Sequence, residues 1–180
     1  GGQDMLNMSV KTELTDLTQV MEKLSSETFV DKSKMSLFGA SQGGVVASLY
    51  AAAYPDRVHK LLLIFPAFVL FDDAKETYRE LGSPDFDQLP DSLTHHNTTL
   101  GKIYLIDALD IDIQAEQTKI TAPTLIIHGT DDAVVPYQYA VEASQTIPNA
   151  ELVTVEGGEH RIDERFAITA APAIQKFLKE

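Results

Sequence analysis

The stretch Gly39-Ala40-Ser41-Gln42-Gly43-Gly44 decides how this chain is read. It has the form G-x-S-x-G. Before it, Lys34-Met35-Ser36-Leu37-Phe38 is a short apolar run of strand type; after it, Val45 to Ala53 is Ala-rich and helical in character. Strand, tight turn and helix in that order hold a serine hydroxyl out at the tip of the turn, and the glycines let the backbone bend there without Cβ clashes. A serine hydroxyl is a weak nucleophile alone, so the pattern predicts a base and an orienting acid further along.

Both have candidates. Thr124 to His128 is an apolar strand that runs into Gly129-Thr130-Asp131-Asp132, a turn presenting two adjacent carboxylates. Leu152 to Val155 is another short strand, emptying into Glu156-Gly157-Gly158-Glu159-His160. Three strands thus bring Ser41, one of the two aspartates and His160 to one edge of a parallel sheet, which is where sites form in open α/β sheets. The other aspartate is expected to cap backbone N–H groups of the turn. His128 reads as a structural hydrogen-bonding group at a strand end, and Glu156 and Glu159 as solvent-facing.

With those residues in place, the chain resembles the α/β-hydrolases and is most similar among them to bacterial cinnamoyl (feruloyl) esterases. Gly39 to Gly44, His128 to Pro136 and Gly157 to His160 carry the superfamily resemblance. Gly43 to Ser48, Leu61 to Ala67 and Thr99 to Leu105 carry the narrower one. The family pattern H-G-x-x-D-x-x-V-P, matched by His128 to Pro136, implies Asp132 rather than Asp131 as the acid. The resemblance also implies that Asp73, on an inserted lid, contacts the phenolic end of a substrate. Two departures stand out: Ala40 where relatives often have His, and Glu80 where they place Gln. The superfamily's opening strands, and the H-G-type loop that helps bind the oxyanion, have no counterpart in these 180 residues.

Composition excludes several classes. A net charge of −13 offers no basic footprint for nucleic acid and disfavours docking on anionic membranes. The absence of Cys excludes disulfides and thiolate metal sites and fits a cytoplasmic location. No apolar run approaches the ~20 residues of a membrane span. His95-His96 lacks a third ligand at sensible spacing, so no metal is expected; His59 also has no identifiable partner.

The rest of the chain follows an α/β rhythm. Val10, Leu14, Leu17, Met21 and Leu24 recur at helical spacing behind Ser9 as N-cap. Strands are expected at 34–38, 60–65, 124–128 and 151–155, and helices after Ser41, at 137–146 and at 165–178. A strand-to-strand crossover needs only ~10–12 residues or a little more, yet more than fifty separate Pro66 from Thr121. That interval, with turn clusters at 82–85 and 89–92 and helix from about Leu100, reads as a lid. Its aromatics, Phe68, Phe71, Tyr78, Phe86 and Tyr104, either wall a pocket or hold the lid together. The expected organisation is a partial α/β-hydrolase core at 1–65 and 120–180, mostly parallel sheet with helices on both faces, interrupted by a lid at 66–119.

The expected activity is hydrolysis of a small-molecule carboxylic ester, with hydroxycinnamate esters as the leading class. Ser41 is the nucleophile, His160 the base, Asp132 its orienting acid and the Gln42 backbone N–H an oxyanion donor, with no cofactor. Other acyl hydrolases, such as a monoglyceride lipase or a peptidase, share these residues. A non-catalytic binding module and an inert fragment are the readings from other classes. A strand at 34–38 without its usual neighbours leaves an open edge that invites another chain, including a second copy. The expectation for these 180 residues alone is a poor catalyst; an N-terminal part lying outside them is the equally weighted alternative.

Overall fold

The computed structural model describes residues 5–95 and 98–179. Gly1 to Asp4 and His96 of the His95-His96 pair lie outside the described residues. Helix α1 (Val10–Ser26) starts on Ser9, whose Oγ accepts from the Thr12 N–H at 3.2 Å while the Thr12 hydroxyl accepts from the Ser9 N–H at 2.8 Å. The same Ser9 Oγ donates to buried Asp107 at 2.5 Å, tying the helix start to the segment between the second and third strands of the sheet.

Four parallel strands form the main sheet: β1 (Leu37–Ala40), β2 (Leu61–Ile64), β5 (Thr124–Gly129) and β6 (Ala150–Val155), in the order β1-β2-β5-β6. The interior strands β2 and β5 are buried throughout, as strands covered on both faces must be. Alternation sorts their side chains into two cores. Leu61, Leu63 and Ile126 face a core shared with α1 and with α2 (Gln42–Ala53). Leu62, Ile64, Leu125 and Ile127 face Phe166, Ala170 and Phe177 of α7 (Glu164–Lys179). Lys60, buried at the start of β2, reaches the Phe177 carbonyl at 2.6 Å and satisfies an acceptor in the last turn of α7. Among the described residues β1 and β6 are the two edges of the sheet, and Phe38 on β1 is 61% exposed.

Helix α6 (Gln138–Thr146) lies between β5 and β6 in sequence. Residues 66–119 hold α3 (Leu70–Glu80), an antiparallel hairpin of β3 (Ser92–His95) and β4 (Thr98–Gly101), then α4 (Lys102–Leu109) and α5 (Ile113–Gln117). Tyr78 and Phe86 pack edge to face at 5.7 Å, and the Tyr78 hydroxyl donates to the Pro84 carbonyl at 2.6 Å, so these two aromatics hold the segment together.

Two local expectations differ from the structure, and one helix was not expected. The first strand begins at Leu37, not Lys34: Asp31 accepts from the Ser33 N–H at 3.0 Å and caps a single 3₁₀ turn over Lys32–Lys34. Helix was expected from Leu100, but Thr98–Gly101 pairs with Ser92–His95 and the helix starts at Lys102. Helix α3 was hidden behind the turn clusters that follow it. Among the described residues no helix is long and apolar enough to cross a membrane, and no group of three or more His, Asp or Glu could hold a metal ion.

Candidate active site

The nucleophile candidate sits where β1 ends. Its N–H donates to the Ile64 carbonyl at 3.0 Å, continuing the β1–β2 ladder by one residue. Ser41 has φ 52° and ψ −127°, a conformation that L-residues rarely adopt, and α2 starts immediately after it. Close approach explains the glycines unequally. A Cβ at Gly39 would lie 2.3 Å from the Gly43 carbonyl oxygen, and one at Gly44 would lie 3.0 Å from Pro66 Cβ, whereas one at Gly43 meets nothing within 4 Å. Gly39 therefore lets β1 and α2 meet at the sharp turn.

The base and acid candidates arrive on the loops after β6 and β5. His160 Nε2 lies 3.0 Å from Ser41 Oγ, and its Nδ1 lies 2.7 Å from Asp132 Oδ2. The side chain of Asp132 is 0% exposed and that of His160 18%. Burial of a carboxylate is tolerable when donors surround it. Here Oδ1 accepts from the N–H groups of Val134 at 2.9 Å and Val135 at 2.8 Å. Asp131 is exposed, accepts from the Thr130 hydroxyl at 3.1 Å and stands apart from this line; it is Asp132 that also caps the turn. The two loops are pinned together. The Thr130 hydroxyl accepts from the Gly157 N–H at 2.8 Å, the Asp131 N–H donates to the Gly158 carbonyl at 2.9 Å, and Arg165 reaches the Gly157 carbonyl at 3.0 Å. Glu156 and Glu159 face solvent.

Phe65 was read in the sequence only as the last residue of the strand at 60–65, with no part in the site. It has φ 35°, lies directly after β2, and sets its ring 4.4 Å from the His160 ring, wedging the imidazole against the sheet end. Its own support is Phe166, at 5.6 Å. The only advance signal was an aromatic before Pro66 at the C-terminal end of a strand.

Gln42 opens α2, so its backbone N–H belongs to the turn that has no intrahelical acceptor. Its side chain is held from both ends: Nε2 donates to Glu13 at 2.5 Å and Oε1 accepts from the Tyr104 hydroxyl at 2.8 Å. Burial, then the charges of Glu13 and Asp73, push the Tyr104 phenol up to about 12, so it stays a donor. A cavity of about 320 Å³ adjoins these groups, lined by Gln42, Leu70, Asp73, Thr77, Leu100 and Tyr104 among others. Asp73 thus faces the cavity beside the nucleophile turn, whereas Glu80 is exposed and contributes nothing to it. A larger cavity of about 560 Å³, between α3, the α4–α5 connection and α6, touches none of Ser41, Asp132 or His160. The smaller cavity is not lined by these three residues either, but it reaches Gln42, the residue after the serine, and that contact rather than size marks it as the candidate substrate pocket. Of the aromatics in residues 66–119, Tyr104 lines it, while buried Phe68 and Phe71 border the larger one.

A parallel sheet flanked by helices, with a serine at a strained strand-to-helix turn and loops after two later strands converging on it, defines the α/β-hydrolase fold. The chain belongs to the prolyl oligopeptidase family, whose sequence model matches residues 5–180. Among solved structures, Est1E from Butyrivibrio proteoclasticus is 29% identical and superposes with a TM-score of 0.83 over 96% of this chain and 72% of that one. A second structure of that protein has ferulic acid bound. RutD of Stutzerimonas stutzeri, a carbamate hydrolase by name, is 39% identical over 70 residues, 38% of this chain and 26% of that protein. The AB hydrolase superfamily protein YisY of Bacillus subtilis is 29% identical over 157 residues, 69% of this chain and 59% of that protein. The chain therefore spans about a quarter of RutD and under two thirds of YisY.

Proposed function

We propose that these residues are the catalytic portion of a serine carboxylic-ester hydrolase acting on hydroxycinnamate esters. The observation that carries the reading is the hydrogen-bonded line from Ser41 Oγ through His160 to Asp132, with spacings of 3.0 and 2.7 Å. In the proposed reaction His160 Nε2 takes the Ser41 proton as Oγ attacks the ester carbonyl. Asp132 fixes the imidazole with its proton on Nδ1 and stabilises the imidazolium that forms. The Gln42 backbone N–H donates to the developing oxyanion. The tetrahedral intermediate collapses, His160 returns the proton to the departing alcohol, and an acyl-enzyme remains. Water deprotonated by His160 then releases the acid and regenerates Ser41.

The acyl group is assigned to the 320 Å³ cavity, with Asp73 accepting from a phenolic hydroxyl and residues 66–119 acting as the lid. Likeness to Est1E, which has been solved with ferulic acid, supports this substrate class. The family match favours a peptide substrate as the second reading. Comparing kcat/KM on feruloyl, acylglycerol and prolyl-peptide substrates, with Ser41→Ala as control, tests the proposal. It predicts a preference for feruloyl esters that vanishes with Ser41. Peptide preference supports the second reading, and turnover surviving in Ser41→Ala overturns both.

A further inference from the structure

We infer that His128 is a positioning residue for the acid: its Nε2–H holds the Asp132 oxygen that faces His160 and limits how strongly that oxygen attracts the imidazole proton. The inference rests on the proposed roles of Ser41, Asp132 and His160. His128, near the end of β5, is 0% exposed. Its Nε2 lies 2.9 Å from the Val135 carbonyl oxygen and 3.2 Å from Asp132 Oδ2. A carbonyl can only accept, so Nε2 carries the proton, and that proton also faces Asp132. Among the described residues Nδ1 has no hydrogen-bond partner and is left as a buried lone pair. An apolar ring of similar size would avoid that cost, so what the imidazole contributes lies on its Nε2 side.

The groups facing His128 are Asp132, the Val135 carbonyl, His160 and the Tyr137 ring, edge-on at 5.9 Å. Burial pushes its pKa down, and His160 pushes the same way, against the pull of the Val135 carbonyl and Asp132. A neutral ring supplies Asp132 with an N–H dipole and adds no second cation next to the imidazolium that forms on His160. The carboxylate then accepts three hydrogen bonds, from two backbone N–H groups on Oδ1 and from His160 on Oδ2, and the His128 Nε2–H, shared with the Val135 carbonyl, lies beside Oδ2 with Nε2 at 3.2 Å. Without His128, Oδ2 is less firmly aimed, and more of its charge is directed at His160.

The test compares His128→Phe, which removes the donor, with His128→Gln, whose Nε2–H reaches about where the imidazole Nε2 sits. Ester turnover is expressed per active site titrated with a fluorophosphonate, so loss of folded protein does not count. The Phe variant should lower kcat roughly tenfold, the worth of one hydrogen bond to a charged group, with KM little changed. The acid limb of its kcat/KM profile should move up by about half a pH unit, because a more exposed Asp132 charge stabilises the protonated base. The Gln variant should recover most of both. A Phe variant identical to the parent per site, or a Gln variant that behaves like Phe, would overturn the inference. The parent gives an independent reading: its imidazole ¹⁵N spectrum should show His128 neutral and protonated on Nε2 from pH 6.5 to 8, and an Nδ1–H tautomer refutes the contact. If Ser41→Ala kept full turnover the proposed reaction would be wrong, and this spectrum would still decide whether His128 donates to Asp132.

Discussion

Replacing Asp132 with asparagine exchanges one carboxylate oxygen for NH₂, and the surrounding donors dictate which. Oδ1 accepts two backbone N–H groups, from Val134 and Val135, so the amide oxygen must stay there. The NH₂ then faces His160 Nδ1 and His128 Nε2, where an acceptor stood. Two donors cannot share a hydrogen bond, so His160 shifts its proton to Nε2. That nitrogen, 3.0 Å from Ser41 Oγ, can no longer take the serine proton. The expected loss is about 10⁴-fold in kcat, equivalent to ~5.4 kcal/mol of transition-state stabilisation. Asp131→Asn is the control, since that carboxylate is exposed and accepts from the neighbouring Thr130 hydroxyl rather than from His160; it should stay within about threefold of the parent. Single-turnover kinetics on a chromogenic ester, corrected for folded fraction by circular dichroism, reads both variants. If Asp131→Asn is the more damaging, or Asp132→Asn loses less than tenfold, the argument from donors is wrong.

Further outcomes follow from the same geometry. Gly39→Ala should destabilise by more than ~2 kcal/mol, because its Cβ meets backbone atoms at 2.3 and 2.7 Å that cannot move independently of α2; Gly43→Ala, with open space, should be neutral or slightly stabilising in thermal melts. The buried His128 has a folded-state pKa below its ordinary value of 6.5, so the unfolded chain binds the extra proton first. Its contribution is complete above pH 6.5 and declines as pH falls from there toward the folded-state pKa; a melting temperature that rises over that interval on acidification contradicts the assignment. Asp73→Ala should weaken kcat/KM for feruloyl esters by roughly 1–3 kcal/mol, the worth of an unpaired buried polar group, while butyrate esters barely change; equal losses on both would mean that Asp73 has only a structural role in α3.

What the sequence revealed and concealed has a physical pattern. Ser41, Asp132 and His160 were legible because each follows a short apolar strand and a glycine turn, signals confined to a few neighbouring residues. The burial of β2 and β5 was equally plain in their unbroken apolar runs. The hairpin of β3 and β4 was not, because Ser-Leu-Thr-His and Thr-Thr-Leu-Gly carry little apolar alternation and are fixed by pairing with each other. The part Phe65 plays at the site was invisible for a different reason. A bulky residue is the last expected at positive φ, and only the tertiary packing of His160 and Phe166 against it accounts for its placement. The glycines of the turn look alike in sequence, yet only a Cβ at Gly39 or Gly44 meets a neighbour closely. The choice between Asp131 and Asp132 rested on a family pattern; in the structure Asp132 is the carboxylate that the turn's N–H groups bury beside His160.

The central claim is that His160 activates Ser41 as a nucleophile. Reaction with a fluorophosphonate, followed by intact-mass and peptide mass spectrometry, tests it most directly because it needs no knowledge of the substrate. The account predicts one adduct per chain, on Ser41, forming at least ~10³-fold more slowly in His160→Ala and not at all in Ser41→Ala. Labelling at another residue, or an unmodified Ser41 in folded protein after prolonged exposure, would contradict it.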